Sequence, residues 1–188
     1  MIKPKTSKMF HVPLLGGKET IPPDGKISFP LLNLNTFRYY RSIYLSKDII
    51  SPADGMMGKN LYLGVSVNHK TFGFLCISEG YGSVVRGGDE LFVLADFAIP
   101  SLVHRRLSKL VCMSLCTFEV FDFCMGFFNR KFSYLKTHVF TDKPVSMKYR
   151  GVMKLERRKP GALMYVGNPK WKMEELIQIW YKKHEKKR

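Results

Sequence analysis

The sequence predicts an α/β domain, a mixed β-sheet flanked by helices. Three features of the 188-residue chain point to it. β-Rich runs alternate with helical stretches, the order that layers helices onto a sheet. One run, ELFVLADFAIP (residues 90–100), is apolar on both faces and so belongs at the centre of that sheet. Hydrophobic residues make up 45% of the chain and aromatics 13%, ample for one packed core and too many for wholesale disorder.

Residues 1–30 carry Pro4, Pro13, Pro22, Pro23 and Pro30 with Gly16, Gly17 and Gly25. That density of breakers forbids a long element, so an extended arm over the domain is expected. The α/β domain is assigned to residues 31–166. It opens with a short helix over FRYYRSIYLS (37–46), capped by Asn35 or Thr36. SPADGMMG (51–58) is turn chemistry. LYLGVSV (61–67) and TFGFLCIS (71–78), joined by Asn68-His69-Lys70, read as a β-hairpin. YGSVVRGGD (81–89) is a glycine-rich connection to the central strand. Pro100 stops that strand, and Ser101 caps a long helix over residues 102–123. The helix has a basic first turn (His104, Arg105, Arg106) and an apolar remainder suited to burial. YLKTHVF (134–140) is a further strand, after which Thr141 or Asp142 caps a short helix, SMKYR (146–150), closed by Gly151. VMKLERR (152–158), a Pro160-Gly161 turn and ALMYVG (162–167) form a terminal hairpin. Residues 167–188 make a basic amphipathic helix and tail, with Met173, Leu176, Ile177, Trp180 and Tyr181 at helical spacing.

Thirty-one lysines and arginines outnumber 15 aspartates and glutamates, for a formal net charge of +16. Such a field concentrates polyanions and captures them in a salt-dependent way. Nucleic acid, double-stranded DNA first, is the expected partner; the alternative is a basic surface that holds nothing. Cys76, Cys112, Cys116 and Cys124 show no CxxC spacing and no paired histidines, so no metal site is assigned. Cys112 and Cys116, four apart, share a helix face and look inward as small hydrophobes. No disulfide framework or signal-peptide core is visible, and a reducing cytoplasm is the expected setting. Residues 110–128 are apolar enough to suggest a membrane span. Glu119 and Asp122 near its middle would each cost roughly 2.5–3.5 kcal/mol in a bilayer, so a buried helix is expected.

Asp96 interrupts the central strand. A buried carboxylate needs a partner, so it either pairs with a cation such as Arg105 or serves as a base in a cleft. Asp142 ends a strand where α/β sites sit, and is either a helix cap or a catalytic group. His104 and His138 are either satisfied residues or functional ones, and Glu79 is either a proton acceptor for an amine or a solvated end residue. Arg38, Tyr39, Tyr40 and Arg41 interleave cations with rings, as nucleic-acid contacts do and as a half-buried amphipathic helix also does. Lys148, Arg150, Lys154, Arg157, Arg158 and Lys159 form a second basic block. KKHEKKR (182–188) is a third, expected as a flexible phosphate-contacting tail.

The order of elements over residues 37–166 resembles the acetyltransferase fold of the GNAT superfamily. In that fold the fourth strand splays from the fifth, and the pyrophosphate of acyl-CoA rests on amides that open the helix after strand four. Unpaired N–H groups and the helix dipole make such a place an anion site. The resemblance implies acetyl-CoA or another acyl-CoA as cofactor, bound by Ser101, Arg105, Arg106 and Ser108. Arg105-Arg106-Leu107-Ser108-Lys109-Leu110 stands where the family has Arg/Gln-x-x-Gly-x-Gly/Ala. Ser108 replaces the first glycine, and Leu110 departs from the second small residue. Met147-Lys148-Tyr149-Arg150-Gly151 resembles the family's tyrosine before a glycine, which implies Tyr149 as proton donor to the leaving thiolate. Read from the residues alone, Tyr149 equally packs under the hairpin.

A narrower likeness is carried by IYLS (43–46), LGVSVNHKTFGFLCIS (63–78), IPSLVHRRLSKLV (99–111) and TDKPVSMKYRG (141–151). These segments are similar to those of the bacteriophage Mom proteins, GNAT-like enzymes that modify adenine in DNA. The likeness implies Tyr44, Ser108, Asp142 and Tyr149 as site residues. It departs at Ile43, where that family has histidine, and at Asp96, where it has a basic residue. The expectation is an enzyme of a phage-infected cell that moves an acyl-CoA-derived group onto a base amine of DNA. Tyr149 would be the acid, Asp142 or Asp96 the base, and Arg38, Tyr39, Tyr40, Arg41, Lys148, Arg150, Arg157 and Arg158 would contact nucleic acid. Two alternatives stand beside it: a non-catalytic basic nucleic-acid-binding protein on this scaffold, and an N-acyltransferase for a protein or small amine.

Overall fold

Among the described residues, seven strands form one sheet in the order β1-β2-β3-β4-β5-β7-β6. They are β1 (Ile27–Ser28), β2 (Asn60–Val67), β3 (Lys70–Glu79), β4 (Glu90–Ala98), β5 (Tyr134–Phe140), β6 (Lys154–Lys159) and β7 (Ala162–Gly167). Neighbours run antiparallel except β4 and β5, which are parallel. Helices α1 (Leu34–Tyr44), α2 (Leu107–Leu115), α3 (Phe118–Phe128) and α4 (Leu176–His184) flank it. The mixed α/β sheet expected from the sequence is therefore the fold observed. The computed structural model describes residues 8–45, 59–79 and 88–185. The expected turn over 51–58 and most of the connection over 81–89 lie outside these residues.

Local chemistry explains most elements. The β2–β3 hairpin turns through Asn68 (φ 47°) and His69 (φ 67°), two left-handed residues in a row as tight hairpins require. β3 is buried along nearly its whole length, because helices cover both of its faces. On one face Phe37 and Tyr40 of α1 meet Phe97 and Phe74, at ring-centroid distances of 5.7 and 4.8 Å. On the other, α2 presses so close that a Cβ on Gly73 would stand 2.3 Å from Val111 Cγ2. Leu110, Val111, Cys112, Met113 and Leu115 of α2 are all fully buried.

Four expectations are corrected. The cap of α1 is Asn33, whose Oδ1 accepts the Thr36 amide at 2.8 Å. Asn35 and Thr36 lie inside the helix, and the Thr36 hydroxyl accepts the Phe10 amide of the arm instead. The long helix over 102–123 is two helices preceded by a turn. Ser101 Oγ draws back the amides of Val103 and His104, so α2 begins only at Leu107. It ends where Trp171 reaches in: the Lys170 amide donates to the Cys116 carbonyl and the Phe118 amide to the Trp171 carbonyl. Thr117 then caps α3. The segment SMKYR is not a helix but a turn that carries Lys148 and Tyr149 toward the sheet. Lys182, Lys183 and His184 are the last turn of α4 rather than a free tail, and 186–188 lie outside the described residues. No described helix is long and apolar enough to cross a membrane.

Gly73→Ala should destabilise the protein by about 1–3 kcal/mol, because the new methyl overpacks the sheet–α2 contact. Gly126→Ala in α3, where nothing lies within 4 Å of the new methyl, should stabilise by up to about 1 kcal/mol. Urea unfolding of the two variants checks the contrast.

Candidate active site

β4 and β5 pair from Glu90 with Tyr134 to Val93 with Thr137 and then part. β4 continues to Ala98 beside β3, and β5 to Phe140 beside β7. A bulge between Cys76 and Ile77 in the β3–β4 register accompanies the divergence. Beyond Val93, β4 thus faces a gap where a neighbouring strand would be.

Three side chains meet there. The Asp96 carbonyl accepts a hydrogen bond from the Lys148 ammonium. The same ammonium lies 2.6 Å from Asp96 Oδ2. That contact is an ion pair and not an aligned hydrogen bond, since Oδ2 has no partner of hydrogen-bond geometry. The Tyr149 hydroxyl donates to Asp96 Oδ1 at 2.5 Å. Its ring stacks on Tyr165 at 5.2 Å, and the Asp96 side chain is only 5% exposed. Burial drives the Tyr149 phenol far above its ordinary value, with the Asp96 carboxylate and Cys112 adding to the shift. The cation beside Asp96 is therefore Lys148 and not Arg105, and Lys148 is turned inward, away from a nucleic-acid surface. A protonated phenol hydrogen-bonded to a carboxylate beside an ammonium is an arrangement that can hold and move a proton.

Next to this cluster a groove of about 740 Å³ lies at the start of α2. Arg105, Arg106, Lys109, Arg150 and Lys183 line it, with Glu185 as their counter-charge. The Arg106 amide donates to Glu185 Oε1 at 3.1 Å, while the amides of Leu107 and Ser108 meet no acceptor among the described residues. Lys109 Nζ donates to the Arg150 carbonyl at 2.5 Å. Burial lowers the Lys109 pKa, and Arg106 and Arg150 repel it further. His104 Nε2 accepts the Ile21 amide at 2.9 Å, and Nδ1 lies 3.8 Å from Glu185. Burial holds this histidine below its usual value, so it is a satisfied neutral residue near pH 7. One turn joins groove and gap: Lys148 and Tyr149 face the gap, and Arg150 and Gly151 line the groove.

The other sequence-derived residues scatter. Arg105 and Arg106 line the groove; Ser101 and the exposed Ser108 do not. Tyr40 is core, stacked on Phe74 with its hydroxyl accepting the Val12 amide at 3.0 Å. Tyr39 and Arg38 are exposed on α1, and Arg41 is half-buried. Tyr44 stacks beyond Tyr40 at 6.3 Å, and burial raises its phenol. α1 packs on Phe97, which points opposite to Asp96 along β4, so Tyr44 and Tyr149 lie on opposite faces of the sheet. Asp142 is exposed beside the β6–β7 turn, 4.0 Å from where a Gly161 Cβ would stand, and makes no contact with Tyr149 or Asp96. Arg157 and Arg158 are exposed on β6. Glu79 lies 3.5 Å from Arg130. Lys183, part of the tail expected to contact phosphates, stands in this groove on α4, whereas Lys109 lies outside the expected anion ligands. Lys109 carries a local signal, a cation inside an apolar run.

The chain belongs to the family of phage GNAT-like domains, which it matches over residues 24–185. No curated protein matches it. Among solved structures it is similar to the ribosomal-protein-S18-alanine N-acetyltransferase from Escherichia coli, at 12% identity and a TM-score of 0.48. That likeness covers 77% of this chain and 95% of the other. It is also similar to the PaiA N-acetyltransferase from Thermoplasma acidophilum in complex with coenzyme A, at 12% identity and TM-score 0.46, covering 76% and 98%. A third, the Campylobacter jejuni N-acetyltransferase PseH in complex with acetyl coenzyme A, is 12% identical with TM-score 0.45, covering 77% and 99%.

Burial pushes the thiols of Cys116 and Cys124 up to about 12, and that of Cys112 well above its ordinary value of 9. The unfolded chain loses these protons near pH 9, whereas the folded one keeps them to about 12. Between those limits the folded state binds more protons, so stability falls as pH rises. Urea midpoints should be level from about pH 7 to 8.5 and decline steadily from about pH 9 to 11.

Proposed function

We propose that the protein is an N-acyltransferase that uses an acyl-CoA and acts on a base amine, adenine in the Mom manner, in DNA. The observation that carries the reading is the cationic groove at the opening of α2, joined by one turn to the buried Asp96–Tyr149 pair. The donor set suits a polyphosphate. Arg105, Arg106, Lys109 and Lys183 are cations around a helix start whose Leu107 and Ser108 amides meet no acceptor among the described residues. These residues would hold the phosphates of acyl-CoA, and the bound thioester would supply an activated acyl group. Tyr149 keeps its proton on Asp96, Lys148 fixes that carboxylate, and burial keeps bulk water from both. A base inside a duplex cannot reach such a gap, so it must be unstacked first, and the +16 charge favours holding the strand while that happens.

A second reading, a non-catalytic basic binding protein on the same scaffold, draws support from two contacts. Lys148 occupies the Asp96 carbonyl and Glu185 the Arg106 amide, so both are engaged by the chain itself.

Thermal unfolding with coenzyme A, followed by nucleoside mass spectrometry after incubation with acetyl-CoA and plasmid, separates these. Ligand at 100 times its Kd should add about 2.7 kcal/mol, a rise of a few degrees. Lys183→Ala should diminish that rise and Glu185→Gln should enlarge it, and Tyr149→Phe should abolish the modified nucleoside while leaving the rise intact. Stabilisation by DNA with none by coenzyme A would favour the binding protein. Acylation of an amine without DNA would move the acceptor to a protein or small molecule.

A further inference from the structure

The sheet carries a second concave place, on the face opposite Tyr149. Thr137 and Tyr165 lie against Tyr149, so strand alternation turns Lys136, His138 and Phe140 of β5 and Ala162 and Met164 of β7 the other way. The β6–β7 register sets Arg157 beside Met164 and Lys159 beside Ala162. His138, Phe140, Arg157, Lys159, Ala162 and Met164 line a hollow of about 400 Å³ at the outer end of β5. It lies at the end of β5 from which β4 has diverged, on the other face of the sheet from Asp96.

Its composition is unusual for a solvent face. Phe140 is 61% exposed, a large aromatic side chain mostly in water at the hollow's edge. His138 stands edge-on to Phe92 at 5.3 Å, and burial, then Lys159 and Lys136, hold it below its usual value, so it is a neutral ring near pH 7. Lys136 is engaged by Glu90 at 3.2 Å. Arg157 and Lys159 stand on the rim, and no ion pair involves them among the described residues. Asp142 is an acid near the same turn.

Cations that flank an exposed ring over an apolar floor suit one kind of occupant. Phosphates take the cations, and a flat unpaired base takes the ring. A duplex would leave the ring unused, because its bases cover one another. An acidic peptide would use the cations but leave the ring without a partner.

We propose that this hollow receives an unpaired nucleotide of the nucleic-acid substrate, its base on Phe140 and its flanking phosphates on Arg157 and Lys159. The inference rests on the nucleic-acid reading above and names the surface that serves it.

Fluorescence anisotropy with the full chain tests it, using a short labelled single strand and the corresponding duplex. Phe140→Ala should weaken the single strand about tenfold and the duplex by less than about twofold, and Phe140→Tyr should restore binding. Arg157→Glu with Lys159→Glu should weaken both and lower the salt dependence by about two phosphate contacts. Both changes are on exposed side chains, so melting temperature and the rise produced by coenzyme A should stay as in the parent protein. If the parent binds nucleic acid but these variants bind equally well, the hollow is not the site, and the broader reading survives. If the parent binds neither strand nor duplex, the nucleic-acid reading itself is wrong. Equal loss of duplex and single strand on Phe140→Ala would also overturn the stacking role.

Discussion

β4 and β5 run parallel for four register pairs and then separate, and a strand that loses its neighbour leaves backbone groups without partners. Lys148 meets that need at the Asp96 carbonyl, and its buried charge in turn requires the Asp96 carboxylate. Tyr149 closes the remaining space and bridges Asp96 on β4 to Tyr165 on β7. The segment that delivers both residues must therefore leave the helical path. It is anchored by the Ser146 amide on the Tyr165 hydroxyl at 2.8 Å and turned out again at Gly151, whose φ of 78° suits glycine. The buried Asp96–Lys148–Tyr149 cluster follows from one interrupted ladder.

The groove beside it obeys a different balance. Five cations around one opening repel each other, and Glu185 offsets part of that repulsion by lying on the Arg106 amide. Lys109 bears the largest burial cost and recovers some of it through the Arg150 carbonyl. Such a ring of cations favours negative charge, and Glu185 supplies it from within the chain.

The strands from β2 onward are legible in the sequence because their signals are local, whereas β1 lies in a stretch that reads only as an extended arm. The two-residue polar turn at Asn68-His69, the doubly apolar β4 and the Pro160-Gly161 turn each lie within a few residues of what they specify. The α2–α3 break has one local sign in the run of residues 110–128, Thr117 as cap of α3, which an apolar run conceals. The partners that satisfy the backbone at the break, Lys170 and Trp171, arrive from far along the chain. That Asp96 needs a cation is legible; that the cation is Lys148 depends on a turn that reads like a helix. In Arg38-Tyr39-Tyr40-Arg41 the alternation is plain, yet only the packing of Phe74 decides that Tyr40 goes inward while Tyr39 stays outside. Asp142 and Tyr149 are close in sequence and far apart in contact, since β5 carries one to its outer end and the following turn carries the other back inside.

Trp180 donates to the Arg106 carbonyl, Tyr181 to the Ile21 carbonyl, and the Ile21 amide to His104. The arm, the start of α2 and the last helix are thus one hydrogen-bonded unit, assembled from opposite ends of the chain. Synthesis delivers those ends in sequence, and folding during synthesis proceeds from the N-terminal side. The strands through β7 precede α4 in the chain, so the sheet can pair first, and the groove lacks a wall until α4 docks. Until then Arg105, Arg106 and Lys109 lack the carboxylate of Glu185 that tempers them in the folded protein.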